Sequence, residues 1–372
     1  ALGRIADTEA IGVVRQALNF GTAKHRADAA AACLLAAQTQ MAQEKTDIAQ
    51  GLYDTVRLAR VPASYRIGAT RGAIVARQSD RVAFLVRQLH SDDPAIRDVA
   101  LLTIREIPSD ALATALNAEL DRAQPALQIP LIHALKDCHN EQSIQALRTP
   151  LQAQDPAVRM AALRTLRDIG DSDSASTFLK VLREKRSDEE LSIAMSSLEF
   201  MQGAGVDDLI LAALASSSDA EIRIQLIRLL DLRHVASATD ALLHQVNAAH
   251  TKVSVAAFQA LKSLAGPEDL PGLMALAGAA KNAVVREAAV AALYGVCKNS
   301  EHLEQNAALI LQALNRARIN AEKSTWIKVL AMLGYAPALP AITATLQDAD
   351  AQVVQSTISQ LGRWPDPTPI DD

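Results

Sequence analysis

One segment of this chain keeps returning, and that repetition constrains the fold more than any other feature. Residues 155–170 read DPAVRMAALRTLRDIG, and 93–108 read DPAIRDVALLTIREIP, two intervals of 31 residues upstream. Between them, 124–138 reads QPALQIPLIHALKDC, and the pattern comes back at 219–233, 250–266 and 282–296. More divergent copies stand at 62–77, 187–201, 319–334 and 350–365. Three apolar columns run through the copies. The first holds Ile96, Leu127, Val158, Ile222, Val253, Val285 and Val353. The second holds Ala100, Leu131, Ala162, Ala194, Leu226, Ala257 and Ala289. The third holds Ile104, Leu135, Leu166, Leu198, Leu230, Leu261, Leu293, Leu330 and Leu361. Within a copy the columns are four residues apart, which is one face of an α-helix. Asp93-Pro94 and Asp155-Pro156 supply an N-cap followed by proline at the first helical position, and Asp219 caps its copy likewise.

A second amphipathic run follows each copy after a short polar break, as at 109–122, 141–153, 172–184 and 236–247. The unit is therefore a helix–turn–helix of about 31 residues. One such pair cannot bury both of its apolar faces, so pairs must stack. About ten pairs fit the chain, which at a helix spacing of roughly 8–10 Å gives a body on the order of 100 Å long.

The pattern D-P-x-V-R-x-x-A-L-x-x-L-x-x-I-G, carried by 155–170 and traced over about 62–366, resembles HEAT repeats, in particular the short bacterial type of phycobilisome-lyase-like proteins. The resemblance implies an all-α, right-handed α-α superhelix. Residues 27–62 differ and look more like a tetratricopeptide pair, with Ala49, Tyr53 and Pro62 at matching spacing. The expected organisation is one continuous solenoid: residues 1–61 hold an incomplete first repeat and the tetratricopeptide-like pair, and 62–372 hold the repeat array. Residues 1–18 align with 165–182 and so begin inside a repeat, which predicts further chain before Ala1. At the other end Trp364-Pro365-Asp366-Pro367-Thr368-Pro369 predicts a helix stop.

Composition narrows the function classes. Hydrophobic residues make up 49% and aromatic residues 3%, so the apolar mass is largely Ala and Leu, which suits closely packed helices. A net charge of −5 gives no basic field for nucleic acid, and the aromatic platforms on which bases stack are scarce. Cys33, Cys138 and Cys297 are far apart, form no CxxC and read as small apolar residues on helices. No apolar run approaches the roughly 18 residues of a membrane helix. Cytoplasmic and exported locations both fit these features.

The candidate chemistry has structural explanations. An arginine recurs one place after the first apolar column, at Arg66, Arg97, Arg159, Arg223 and Arg286. The family resemblance implies a ladder in which such arginines meet the turn aspartate of a neighbouring repeat. No HExxH occurs, and no two of the eight histidines lie four apart on one helix. The His-Glu dipeptides that ligate iron in HEAT-type hydroxylases are missing. Trp326 and Trp364 fall in core columns, which argues against the aromatic groove of a HEAT-type DNA glycosylase. No phosphate-cradling glycine motif or GxSxG elbow is present. Residues 312–325, with Arg316, Arg318 and Lys323, stretch one repeat spacing to about 39 residues and read as a solvated insertion loop, with a partner-contacting loop as the alternative.

The expected function is a non-catalytic scaffold with no cofactor, binding another protein or a neighbouring domain of the same polypeptide on its concave face. Second helices line that face in HEAT proteins, and Gln145, Thr149, Gln152, Lys180 and Arg183 are the positions expected to point away from the core there. Two alternatives stand beside it: an accessory docking region of a larger, carbohydrate-active or other enzyme, and a tetrapyrrole lyase or chaperone.

Overall fold

A computed structural model describes residues 8–138, 140–203 and 205–365, the side chain of Ala126 apart. The expectations placed on residues 1–7, on His139 and on the proline-rich end at 366–372 lie outside these residues. The described residues form 22 α-helices and no strand. They divide into two units, 1–170 and 171–372.

The first unit holds α1 (Thr8–Phe20), α2 (Ala23–Ala42), α3 (Thr46–Leu58), α4 (Ala63–Ala76), α5 (Arg81–Leu89), α6 (Pro94–Thr103), α7 (Asp110–Leu120), α8 (Pro125–Cys138), α9 (Glu141–Ala146) and α10 (Pro156–Ile169). First helices α4, α6, α8 and α10 pack in sequence, and second helices α5, α7 and α9 pack behind them. The second unit holds α11 (Ala175–Glu184), α12 (Asp188–Phe200), α13 (Val206–Ser216), α14 (Ala220–Leu232), α15 (Thr239–Val246), α16 (Thr251–Leu264), α17 (Leu270–Ala279), α18 (Ala283–Asn299), α19 (Leu303–Arg316), α20 (Asn320–Leu333), α21 (Leu339–Ala344) and α22 (Ala351–Leu361). There α12, α14, α16, α18, α20 and α22 are the first helices, each packed on the next.

The columns seen in the sequence form the seam of each stack. Every member of the second column is at most 1% exposed, and the third is at most 2% exposed from Ile104 to Leu330. Each fully buried leucine contributes about 1.5–3 kcal/mol relative to an exposed one. The first column is less uniform, because Ile96 and Leu127 are only half-buried.

The caps work as their residue types require. Asp155 accepts the Ala157 N–H at 2.8 Å, Asp219 accepts from Glu221 at 2.9 Å, and Asn282 accepts from Val284 at 2.8 Å. The recurrent arginine turns back on its own entry loop. Arg97 donates to the Ser91 carbonyl at 2.6 Å, Arg159 to Ala153 at 2.9 Å and Arg286 to Lys281 at 2.7 Å. A planar fork can reach several carbonyls that the preceding second helix leaves exposed at its end. The expected link to a neighbouring aspartate occurs between Arg66 and Asp93, at 3.7 Å, while Arg223 bonds the Gln245 amide oxygen at 2.8 Å. Other pairs tie one repeat to the next: Lys136 with Asp168 at 2.8 Å, Lys185 with Asp219 at 2.8 Å and Asn320 with Asp350 at 2.6 Å.

At the N-terminal end, α3 and α4 approach through a glycine. Ala49 and Tyr53 are buried, and a Cβ on Gly72 would stand 2.3 Å from the Tyr53 ring. Only a hydrogen fits between those helices. Trp326 and Trp364 are 4% and 8% exposed, inside the packing as expected.

Two local expectations need correction. The second run at 141–153 is not one helix. Pro150 has no N–H to continue the ladder, so α9 stops at Ala146 and the chain resumes as a 3₁₀ turn over Pro150–Gln152. The segment 312–325 is not a loop. It is the end of α19, a three-residue link at 317–319 and the start of α20. The extra spacing is absorbed by longer helices, 17 residues in α18 and 14 in α19.

Candidate interaction grooves

Where α9 gives way to its 3₁₀ turn, a groove opens. Its walls are Leu120 at the end of α7, Pro125 and Gln128 on α8, and the stretches 148–150 and 152–155. The groove is open to solvent and encloses about 740 Å³. Gln128 is fixed by a bond from its side-chain amide to the Leu120 carbonyl at 3.1 Å. Thr149 and Gln152, both expected as contact residues, are exposed and line this groove together. Gln145 is exposed on α9 but is not among the lining residues.

Lys180 and Arg183 belong to the second unit. Lys180 is exposed on α11 and Arg183 lies on the same helix, whose inner side buries Phe178, Leu179 and Leu182. Lys180 lies 3.7 Å from Glu184, one helical turn on. A pair so exposed is worth at most about 1 kcal/mol, so Lys180 stays available to a partner.

A second groove lies within the second unit, between second helices α17 and α19 and above first helix α20. It encloses about 450 Å³ and is lined by Pro271, Met274, Gly278, Leu309, Gln312, Arg316, Glu322 and Trp326, among others. Sequence reasoning misses it. Its one signal is the stretched spacing at 312–325, which contains Gln312, Arg316 and Glu322. A third groove on the first-helix side, about 400 Å³, runs between α12 and α14 past Leu191, Met195, Arg228 and Leu232.

The displaced ionisations have local causes, burial for the thiols and lysine partners for the carboxylates. Burial pushes the Cys33 and Cys297 thiols up to about 11, and it raises Cys138 as well, so these thiols are protonated at neutral pH and poor nucleophiles. The displaced carboxylates sit in ion pairs. A hydrogen bond from Lys185 holds Asp219 below the usual carboxylate range, and one from Lys323 does the same for Asp348. At Asp168 burial pulls upward, but the hydrogen bonds from Lys136 and Arg167 outweigh it and the net displacement is downward. None of these three carboxylates lines a groove described above. Among the described residues no three His, Cys, Asp or Glu side chains group so as to hold a metal ion, and no helix is long and apolar enough to cross a membrane.

Comparison with known proteins bears on the repeat. A family profile described as HEAT repeats matches residues 113–199 and 208–294. No curated protein matches the chain by sequence. Among solved structures, the karyopherin Kap121p bound to the extreme C-terminus of the phosphatase Cdc14p is 11% identical, with a TM-score of 0.49 over 94% of this chain and 45% of the karyopherin. Kap121p bound to Pho4p is 12% identical, with a TM-score of 0.49 over 96% and 46% of the two chains. The complex of CpcE and CpcF of phycocyanin lyase from Nostoc sp. PCC7120 matches at 16% identity and a TM-score of 0.30, over 61% of this chain and 92% of that one. The chain thus spans less than half the length of these two Kap121p chains. The family profile places HEAT repeats at residues 113–199 and 208–294, and helical pairs with the same buried columns continue on either side of those stretches.

Proposed function

We propose that the chain is a protein-interaction scaffold that binds another protein, or a neighbouring domain of the same polypeptide, through its second helices, without catalysing a reaction. The observation that carries this reading is the groove at Thr149 and Gln152. Two polar side chains with no core role stand exposed beside an open apolar trough, the arrangement of a contact surface with a dry centre and a polar rim. Gln145 extends that rim on α9, and Lys180 and Arg183 give α11 a cationic outer side.

Site-specific photocrosslinking tests the reading. p-Benzoylphenylalanine is placed at Thr149, at Gln152 and, as a control on the first-helix side, at exposed Arg164. Discrete protein adducts at 149 and 152, with none at 164, support it. Adducts of equal yield at all three positions, or at none, overturn it. With the adduct identified, Lys180→Ala and Arg183→Ala should each weaken binding, and unchanged affinity in both would remove α11 from the interface.

A further inference from the structure

The groove between α17 and α19 has a chemistry of its own. Its floor is apolar: Pro271, Met274 and Ala275 on one helix, Leu309 and Ala313 on the other, and the edge of the Trp326 ring beneath. Leu309 is 42% exposed, and Ile319, in the link after α19, is 59% exposed, so large apolar side chains are open both in the groove and on the link. An open groove with apolar walls is a candidate docking surface.

The polar groups of the trough are of two kinds. Gln312, Arg316 and Glu322 line it, and none of the three side chains has a hydrogen bond or ion pair with another described residue. Lys281 follows α17 and Arg318 follows α19; both are exposed, and their charged ends have no partner among the described residues. Two acids in the same stretch are neutralised by lysines, Asp348 by Lys323 at 2.6 Å and Glu287 by Lys328, while Asp350 is held at 2.6 Å by the neutral amide of Asn320. The charge left without an ion-pair partner at this end of the groove is therefore three uncommitted cations against the carboxylates of Glu322 and Asp350. A cation in the last turn suits a helix C-terminus, which accounts for Arg316 alone. It does not account for Lys281 and Arg318, which lie beyond their helices.

We infer that this groove docks an acidic peptide segment of a partner protein, seating one bulky apolar side chain against Met274, Leu309 and Trp326, with neighbouring carboxylates meeting Arg316, Arg318 and Lys281. Glu322 accepts from a main-chain N–H of the bound segment, and the Gln312 amide can serve either a main-chain carbonyl or an N–H. An open trough with donors and an acceptor along its sides matches an extended chain better than a compact small molecule, which calls for a site enclosing most of its surface. The inference rests on the reading of the second helices as the contact side and names the partner chemistry for the second unit.

Gly278 provides a clean way to close the groove. A Cβ there would meet Glu322 Oε1 and the Trp326 ring at 3.5 Å, ordinary contact distance, so side chains are tolerated and grow into the trough. Replacing a helical glycine also favours the helix, so Gly278→Met should fold. The test selects a random twelve-residue peptide display library on the full chain, with circular dichroism confirming that each variant keeps the wild-type helicity. The expected result is enrichment of peptides in which Asp or Glu flanks Leu, Ile, Met, Phe or Trp, with binding weakened at least tenfold by Gly278→Met and by Arg316→Glu. Enriched peptides that are neutral or basic, or that bind both variants as well as wild type, overturn the inference. So does competition by a single-stranded oligonucleotide that is lost in Arg316→Glu but kept in Gly278→Met, which would assign the cations to nucleic acid. Peptides abolished only by Thr149→Arg and Gln152→Arg would leave the scaffold reading standing and overturn this one. If no peptide is enriched, this inference falls, and the crosslinking at 149 and 152 decides the scaffold reading by itself.

Discussion

Within either unit the first helices and the second helices are made to different standards. A first helix such as α10 or α14 begins with a capping aspartate, keeps its three apolar columns in register and is tied to the preceding turn or the next repeat by polar links. A second helix is looser. α9 breaks at a proline after six residues, while α15 and α21 are eight and six residues long. The two grooves proposed as contact sites are walled largely by second helices and their ends. A stack needs one row that neighbours can read identically, and it leaves the other row free to vary. Regularity therefore marks the load of packing, and irregularity marks the surfaces available for recognition.

The sharpest way to break this comparison is to remove one seam leucine and one outward side chain and measure both by urea unfolding. Leu230→Ala in α14 should cost about 2–5 kcal/mol, because the cavity adds to the lost burial. Arg183→Ala on α11 should stay within about 0.5 kcal/mol. Comparable losses would mean that the first helices do not carry the stack.

The next largest effect is at the N-terminal end, where close approach replaces a leucine seam. Gly72→Ala should lower stability by about 1–3 kcal/mol, since its Cβ would collide with the Tyr53 ring. Combining it with Tyr53→Leu should return part of the loss in thermal melts. A Gly72→Ala protein that melts with the wild type would show that α3 and α4 have room to spare.

Smaller again is the cap. Asp155→Ala should cost about 1 kcal/mol by releasing the Ala157 N–H, and Asp155→Asn should recover most of it. If Asn behaves like Ala, the side chain is not acting as the cap of α10.

The smallest effect is a pH slope. Asp219 and Asp348 are held low by Lys185 and Lys323 in the folded protein, so the folded state binds protons less readily than the unfolded one. Their stabilisation is complete above the unfolded-state value, about 3.9, and disappears as pH falls through the lower folded values. Urea midpoints taken between pH 6 and pH 3 should fall less steeply in the Asp219→Asn, Asp348→Asn double variant than in the wild type. An unchanged slope would show that these two links between repeats carry no stability.

The first helices are legible in the amino-acid order alone. Val158, Ala162 and Leu166 recur with the helical period, and Asp93-Pro94 and Asp155-Pro156 mark two of the starts, because local sequence decides which face of a helix is greasy and where its first turn begins. The second helices are only partly legible. Outward positions such as Thr149 and Gln152 follow from the period, yet the same amphipathic pattern hides the break at Pro150 that makes them groove residues. The 39-residue spacing reads as a loop because the alignment of columns records that residues have been added and not whether helices lengthen to take them up.

The sequence by itself determined the repeating unit, its helical pairs, the buried columns and the arginine that follows them, since all of these depend on neighbours three or four places along the chain. Tertiary structure alone decided which side chains meet across repeats. It brought Pro271 and Met274 on α17 alongside Leu309 and Arg316 on α19 and set Trp326 beneath them, and it put Tyr53 against Gly72. Those distances depend on how far one helical pair slides and turns against the next. That is set by packing volume summed over whole helices, and no local pattern records it.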